Sequence, residues 1–433
     1  MQHDGGGMAV SPPADRKPKP MDCRQTLTDY FRRGIAAASP RHTMPALLPT
    51  RPPAGRTIVL GCGKAAAEMA LVASECLTGP VSGAVVTRQG HNVDRPPANI
   101  EIIEARHPVP DGQGLAAAAR ILALAAKAGP DDRVVFLISG GGSALLCAPA
   151  DGIAFTEKQA INDALVRSGA AISDINLVRR HLSRVKSGRL AATAGAHGAE
   201  LLTLVISDVA GDDPALVASG PSIGAPFEPE KALALLAAAG WDASPQLAAA
   251  IHANRPPPVP VHPVHVLATN ADALRAVAAA ARADGWNVVD LGAELTGEAA
   301  ATGRSHADIA EHYRRQPGRH LLLSGGELTV NRASRNGCGG PNLEYLTGLL
   351  TRIDPAAPIA ALAGDSDGID GTEDNAGGYF AAEWIDAAIV AAGHDALASN
   401  RCYDLFDRIG GLVVTGPTRT NVNDIRMIAV EGY

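Results

Sequence analysis

VLGCGKAAAEMA (59–70) is the stretch from which the fold follows. A β-branched run climbs to Gly61, a second glycine comes at Gly63, and Lys64 opens an alanine-rich stretch of high helical propensity. Strand, bare turn and helix in that order make the opening unit of a parallel α/β sheet. The same rhythm continues outward. Strand-like runs recur at 83–88, 100–105, 133–139, 201–207, 264–269, 286–292, 321–326, 358–364, 412–416 and 426–430. Apolar-periodic helical stretches lie between them at 112–128, 157–170, 175–194, 271–284 and 381–396. The alternation predicts an α/β protein of parallel sheets with crossover helices.

A chain of 433 residues is long enough for two domains. The segment NRPPPVPVHPV (254–264) holds five prolines and suits neither a helix nor a central strand, so it marks the expected boundary. The expected division is an N-terminal domain over 22–253, a Pro-rich linker over 254–264 and a C-terminal domain over 265–433. Residues 1–21 mix Gly, Pro, Lys and Asp without an apolar stretch and are expected to form a disordered leader rather than a signal peptide.

Aromatic residues are only 3% of the chain, so the core must be built from Ala, Val, Leu and Ile, which suits helices packed on a parallel sheet. A net charge of -7 leaves no footprint for nucleic acid or an anionic membrane. Six scattered cysteines without a C-x-x-C pair point to a reduced, cytoplasmic setting. Apolar runs such as 114–129 are interrupted by Arg120 and Lys127, which excludes a spanning helix there.

Several strands end directly in glycine-rich turns, where open α/β sheets bind ligands. At the first, Gly61 and Gly63 precede a helix whose first amides, with Lys64, suit an anion; a helix-packing turn is the alternative. The match to a dinucleotide fingerprint is poor, because Ala66 replaces the third glycine and the next strand ends in Thr87 and Arg88 instead of an acidic residue. No Walker A loop occurs. In LISGGGSALLCAP (137–149), Gly140, Gly141 and Gly142 between Ser139 and Ser143 leave the backbone bare, which suits a phosphate cradle or a tight strand-end turn. LLSGGELTV (322–330) brings Gly325, Gly326 and Glu327, followed by NGCGGPN (336–342). LAGDSDGIDGTEDNAG (362–377) brings Asp365, Asp367, Asp370 and Asp374, either a metal or hydroxyl site or a solvated turn, but not an EF-hand.

Charge is concentrated in DINLVRRHLSRVKSGRLA (174–191), where a single helix capped by Asp174 would bury Ile175, Val178, Leu182 and Val185. Arg179, Ser183 and Lys186 would then share a neighbouring stripe that either faces a phosphate or carboxylate or is solvated. In LVISDVAGDDPALVASGPS (204–222), Asp208 follows a strand and Asp212 a small turn, a sparse acidic set adequate for Mg²⁺ or for capping the next helix.

Seven motifs in order resemble the class II glycerate kinases: GCGKAAAEMA (61–70), HPVPDGQG (107–114), LISGGGSALL (137–146), NLVRRHLSRVKSGRLAA (176–192), ISDVAGDDPALVASGPS (206–222), GDSDGIDG (364–371) and VTGPTRTNVND (414–424). The resemblance runs from about residue 23 to the end and implies a Rossmann-like N-terminal sheet, a MOFRL-type C-terminal α/β domain and an active-site cleft between them. It implies ATP- and Mg²⁺-dependent phosphorylation of D-glycerate at the 2-position, with Lys64 as a catalytic residue. It also implies an arginine where this chain has Pro341, a role for which Arg332, Arg335 and Arg419 are the substitutes. Some relatives beside tartrate-utilisation genes carry the name hydroxypyruvate reductase. The expected assignment gives catalysis to Lys64, Arg179 and Lys186, with either of the last two meeting the substrate carboxylate. It gives nucleotide binding to Gly61, Gly63, Ser139, Gly140, Gly141, Gly142, Ser143, Gly325, Gly326, Glu327 and Asp367, and Mg²⁺ to Asp208 and Asp212. The expected partner is a small hydroxy acid, and a homodimer is allowed. An NAD(P)H-dependent reductase and a non-catalytic metabolite sensor are the competing readings.

Overall fold

In the computed structural model, residues 23–330 and 337–432 are described; the expected leader, Arg332 and Arg335 lie outside them. Six strands make the first sheet: β1 (Thr57–Cys62), β2 (Val81–Arg88), β3 (Ile100–Ala105), β4 (Arg133–Ile138), β5 (Glu200–Ile206) and β6 (Val264–Ala268). They run parallel in the order β3-β2-β1-β4-β5-β6, the order of dinucleotide-binding sheets. Every residue of β1 and β4 is buried, as expected for central strands covered on both faces. The order reverses between β1 and β4, whose register sets Gly61 beside Leu137 and Cys62 beside Ile138. Their carboxyl ends, carrying the Gly63 and Gly140 turns, therefore open into one crevice.

The second sheet holds β7 (Asn287–Gly292), β8 (Gly318–Gly326), β9 (Ile359–Asp365), β10 (Gly377–Ala381), β11 (Leu412–Val413) and β12 (Asp424–Gly432), in the order β11-β10-β9-β12-β8-β7. It is mixed, not parallel as the alternation predicts. β12 runs antiparallel to both β8 and β9, and β10 antiparallel to β9 and β11; only β7 and β8 are parallel. The connections into β10 and β12 contain no helix, and a parallel return needs a longer crossover.

The Pro-rich segment does not separate the sheets. β6 follows it at once and pairs with β5, so the first sheet continues past the expected boundary. The prolines instead strap back across the first domain, where Val259 and Pro260 fill the space beside Gly188 and Gly195. Lacking an amide proton, proline suits such a surface strap better than a sheet interior. The Cys23–Ala37 helix likewise crosses over to the second sheet. Gly34 approaches Ile425, Phe31 lies against Gly364, and the Tyr30 hydroxyl donates to Asp284 at 2.7 Å. One apolar core accordingly runs from Val59, Leu137 and Leu204 of the first sheet to Leu321, Leu362 and Met427 of the second.

The cationic helix expected over 174–191 is two helices, Ile172–His181 and Arg189–Gly195. Asp174 sits in the first turn, and the N-cap is Ala171. Between the helices the chain runs extended along 148–150, with Ala150 N donating to Leu182 O and Arg184 N to Ala148 O, both at 3.0 Å. Ser187 and Gly188 then take left-handed φ values of 58° and 77° and turn it into the second helix. Arg179 and Lys186 therefore do not share a helical stripe.

Candidate active site

The site begins at the β1 turn. Gly63 has φ 125°, and a Cβ there would lie 2.2 Å from Ser139 Oγ, so this side of the turn is closed by the β4 loop. Lys64 N donates to Gly140 O at 2.9 Å, Ala65 N to Ser139 Oγ at 3.0 Å and Ala66 N to Gly63 O at 3.1 Å. The amides expected to receive an anion at this helix start thus already have protein partners. Ser139 and Gly63 act as the clasp that aims Lys64 away from the first sheet.

Lys64 reaches the loop after β9, where its Nζ lies 2.5 Å from Asp367 Oδ2. Asp367 is fully buried, and its other oxygen accepts from Ile369 N at 2.8 Å. Burial works against the lysine charge, but Asp367, Asp365 and Asp208 outweigh it and hold the ammonium above its ordinary pKa. Burial also works against the Asp367 carboxylate, and Lys64 holds it below the usual range. Asp365, at the end of β9, is pushed well up by burial and by Asp367.

The Gly140 turn closes over the same point. A Cβ on Gly140 would meet Asp208 Oδ2 at 1.8 Å and Asn421 Nδ2 at 2.1 Å, an approach that only glycine permits. Among the described residues the amides of Gly140 and Gly141 have no acceptor, whereas Ser139 N donates to Cys62 O. Asp208 follows β5 and is gripped from the second domain: Asn421 Nδ2 donates to its Oδ2 at 2.9 Å and Asn423 Nδ2 to its carbonyl at 2.8 Å. Burial pushes Asp208 up to about 6, against the pull of Lys64. Glu327, at the exposed lip after β8, is pushed up to about 7 by partial burial of its carboxyl and by Asp208 and Asp424. Behind it Gly325 and Gly326 are packed rather than open, with Asn270 and Leu295 filling their free sides and Arg426 donating to both carbonyls at 2.9 and 2.7 Å. Arg426 also pairs with Asp424 at 2.5 Å.

Other expected residues fall elsewhere. Lys186 is buried beneath the loop, where Nζ donates to Ser143 O at 2.8 Å, Ser143 Oγ at 3.0 Å and Ala218 O at 3.4 Å. It supports the glycine turn from behind and does not face the crevice; burial and Lys158 push it down to about 7. Arg179 lines a separate pocket beside Ser143. Asp212 faces Ser207, Glu294 and Asp272 rather than Asp208, so the two expected metal ligands do not converge. Gly142 packs against Cys62 and Ala218. Asp370 caps the Pro341–Leu350 helix, accepting from Asn342 N and Leu343 N at 3.0 Å each. Pro341 occupies the first turn of that helix, a position proline favours. Arg419 ties the domains together, NH2 donating to Asp94 at 2.6 Å and Nε to Asn92 O at 3.2 Å.

Residue-by-residue reading of the sequence did not single out Asn421, Asn423, Asp424, Arg426, His91 or His107. His107 adjoins Gly141, and burial, then Lys64, pushes it down to about 3; burial pushes His91 down to about 4. The signal for the two asparagines lay in VTGPTRTNVND, whose polar residues cap no helix and so must meet something else.

Two family models match the chain: residues 26–252 match the domain of unknown function DUF4147, which covers β1 to β5, and residues 320–424 match the MOFRL family, within the second sheet. A D-glycerate 2-kinase of Thermotoga maritima is 33% identical, covering 94% of this chain and 98% of its own. The chain belongs to the class II glycerate kinase family. The crystal structure of a glycerate kinase from Thermotoga maritima superposes with a TM-score of 0.82 at 32% identity, covering 95% of this chain and all of that one. A relative from Agrobacterium vitis that carries a hydroxypyruvate reductase name is 44% identical over 95% of both chains. In this glycerate kinase family member no described helix is long and apolar enough to cross a membrane.

Proposed function

We propose that this protein is an ATP-dependent glycerate 2-kinase, transferring the γ-phosphoryl group of ATP to the 2-hydroxyl of D-glycerate to give 2-phosphoglycerate. One observation carries the reading: a lysine from the first domain and acidic loops from both domains converge beneath the unpartnered amides of Gly140 and Gly141. Phosphoryl transfer asks a protein chiefly for positioning and for charge aimed at the transferred group. Lys64 supplies that charge, and Asp367 holds its ammonium in place. Gly140 and Gly141 offer amides to phosphate oxygens, and Ser139, gripping Ala65 N, keeps the turn rigid.

A magnesium ion fits the donor chemistry. Asp208, Glu327, Asp365, Asp367 and Asp424 outnumber the cations Lys64 and Arg426 in one region, and Asp208 and Glu327 are raised first by burial, with neighbouring carboxylates adding to it. Mg²⁺ commonly takes only one or two carboxylates, with phosphates and water completing its shell. Asp208 and Glu327 would hold it, and it would neutralise charge on the phosphates; Asp212 is not part of that set.

Against the reductase reading stands the β1 turn. A dinucleotide needs its glycines open to the pyrophosphate, whereas Ser139 fills the space beside Gly63 and takes the Ala65 amide. The deciding assay incubates the full chain with ATP, Mg²⁺ and D-glycerate, follows ADP release and identifies the phosphorylated acid, beside a parallel run with NADH or NADPH and hydroxypyruvate. ADP and 2-phosphoglycerate are expected; reduced-cofactor consumption without ADP release would replace this reading with the reductase.

A further inference from the structure

Among the described residues six large apolar side chains stand exposed, and two of them, Val109 at 57% and Val166 at 60%, line the same pocket. They come from different elements, Val109 from the segment after His107 and Val166 from the Phe155–Arg167 helix. The pocket encloses about 330 Å³, and Pro108, Pro110 and Ala144 extend its apolar walls. Apolar walls with a few convergent polar groups are the usual build of a small-molecule site. Here the polar groups are Asn162, whose Oδ1 is buried without a partner, Asp163 and Arg179. Gln159 fixes one wall by donating to Pro110 O at 2.7 Å.

The pocket adjoins the loop that closes over the Lys64 cluster. Ser143 lines it, two residues beyond Gly141, and the Cβ direction of Gly141 points to His107 at 3.2 Å and Lys64 Cγ at 3.3 Å. Pro108 to Pro110 follow His107 directly into the pocket wall. A molecule with phosphates at Gly140 and Gly141 would therefore extend its other end between Val109 and Val166.

We propose that this pocket holds the purine nucleoside half of the phosphoryl donor, the base between Val109 and Val166, its amino group meeting Asn162 Oδ1 and the ribose hydroxyls meeting Asp163. The proposal rests on the kinase reading above. Glycerate has no apolar part to bury, so two exposed valines lining one pocket of this volume do not match it. A flat, mostly apolar ring with one donor edge does. Arg179 then borders the nucleoside rather than the acid's carboxylate.

The test compares ADP with inorganic tripolyphosphate, which has phosphates and no base, by calorimetry on the full chain, using wild type, Val109→Glu and Val166→Glu. Both valines are exposed, so neither substitution disturbs a core, and thermal melts confirm this. Removing one apolar wall and placing a carboxylate there should weaken ADP at least about tenfold while tripolyphosphate binding stays unchanged. Unchanged ADP affinity, equal loss of both ligands, or a rise in the KM for glycerate alone would overturn the pocket assignment and leave the kinase reading intact. Wild-type protein that binds neither ligand would overturn both.

Discussion

Replacing Lys64 with Met separates structural from catalytic use of the central ion pair. Lys64 is 13% exposed and Asp367 not at all, with 2.5 Å between Nζ and Oδ2. Removing the ammonium leaves a buried carboxylate without its counter-charge, and loss of one partner of such a pair costs about 3–5 kcal/mol. The variant can escape by protonating Asp367. Starting from an ordinary carboxyl value of 3.8, proton uptake at pH 7 costs about 4 kcal/mol at roughly 1.4 kcal/mol per pH unit. The two estimates agree, so the expected destabilisation at neutral pH is about 4 kcal/mol. In the folded variant Asp367 keeps a proton that the unfolded chain releases above its ordinary value. Its folded pKa is thus raised, and its contribution is full at low pH and lost as pH rises. The gap between wild type and variant in urea unfolding should therefore shrink by about 1.4 kcal/mol for each unit that pH falls from 7 towards 4. Turnover should fall about a hundred- to a thousandfold, as for loss of one aimed charge. Adding Asp367→Asn should restore most of the stability and flatten the pH dependence without restoring turnover. A double variant that regains turnover would show Lys64 to be only a counterion, and a single variant as stable as wild type at every pH would refute the electrostatic argument itself.

Three further outcomes are expected. Gly140→Ala would drive a methyl group into Asp208 and Asn421; a loss of about 1–3 kcal/mol from overpacking and at least tenfold in turnover is expected in melts and assays, whereas Gly112→Ala, which meets nothing within 4 Å, should leave both almost unchanged. Asp208→Asn should raise the Mg²⁺ concentration needed for half-maximal activity and Asp212→Asn should not; equal effects would put Asp212 back beside the metal. Lys186 titrates at about 7 in the folded protein against 10.5 ordinarily, so between those values the unfolded chain holds the extra proton and this group makes the fold more stable as pH rises. Lys186→Met should remove that gain, and the stability of the variant relative to wild type, read by urea unfolding at pH 7 and pH 9, should fall as pH rises.

Much of the site was legible because its chemistry sits at strand ends. Glycines at 63 and 140, the serine at 139 and the aspartates at 365 and 367 follow apolar runs directly, and such positions meet at the carboxyl edge of a sheet whatever the details of packing. Lys186 was misplaced because the 174–191 pattern satisfies a helical period while Ser183 and Arg184 run extended along 148–150. Periodicity cannot register a backbone pairing with a distant segment. Asp212 was misplaced for a related reason: it is close to Asp208 in sequence, but a left-handed turn at Gly211 and Asp212 carries its carboxyl toward Asp272 and Glu294.

Every strand except β10, the glycine turns and the lysine that follows the first of them were determined by the sequence alone, because local propensity and strand-end chemistry act over a few residues. Tertiary structure alone decided that β12 would insert between β8 and β9, that the first described helix would cover the far sheet, and that Asn421 would reach Asp208. Those arrangements depend on which apolar faces cover one another and which buried charges find a partner, and both are settled between segments hundreds of residues apart, where no local pattern carries the information.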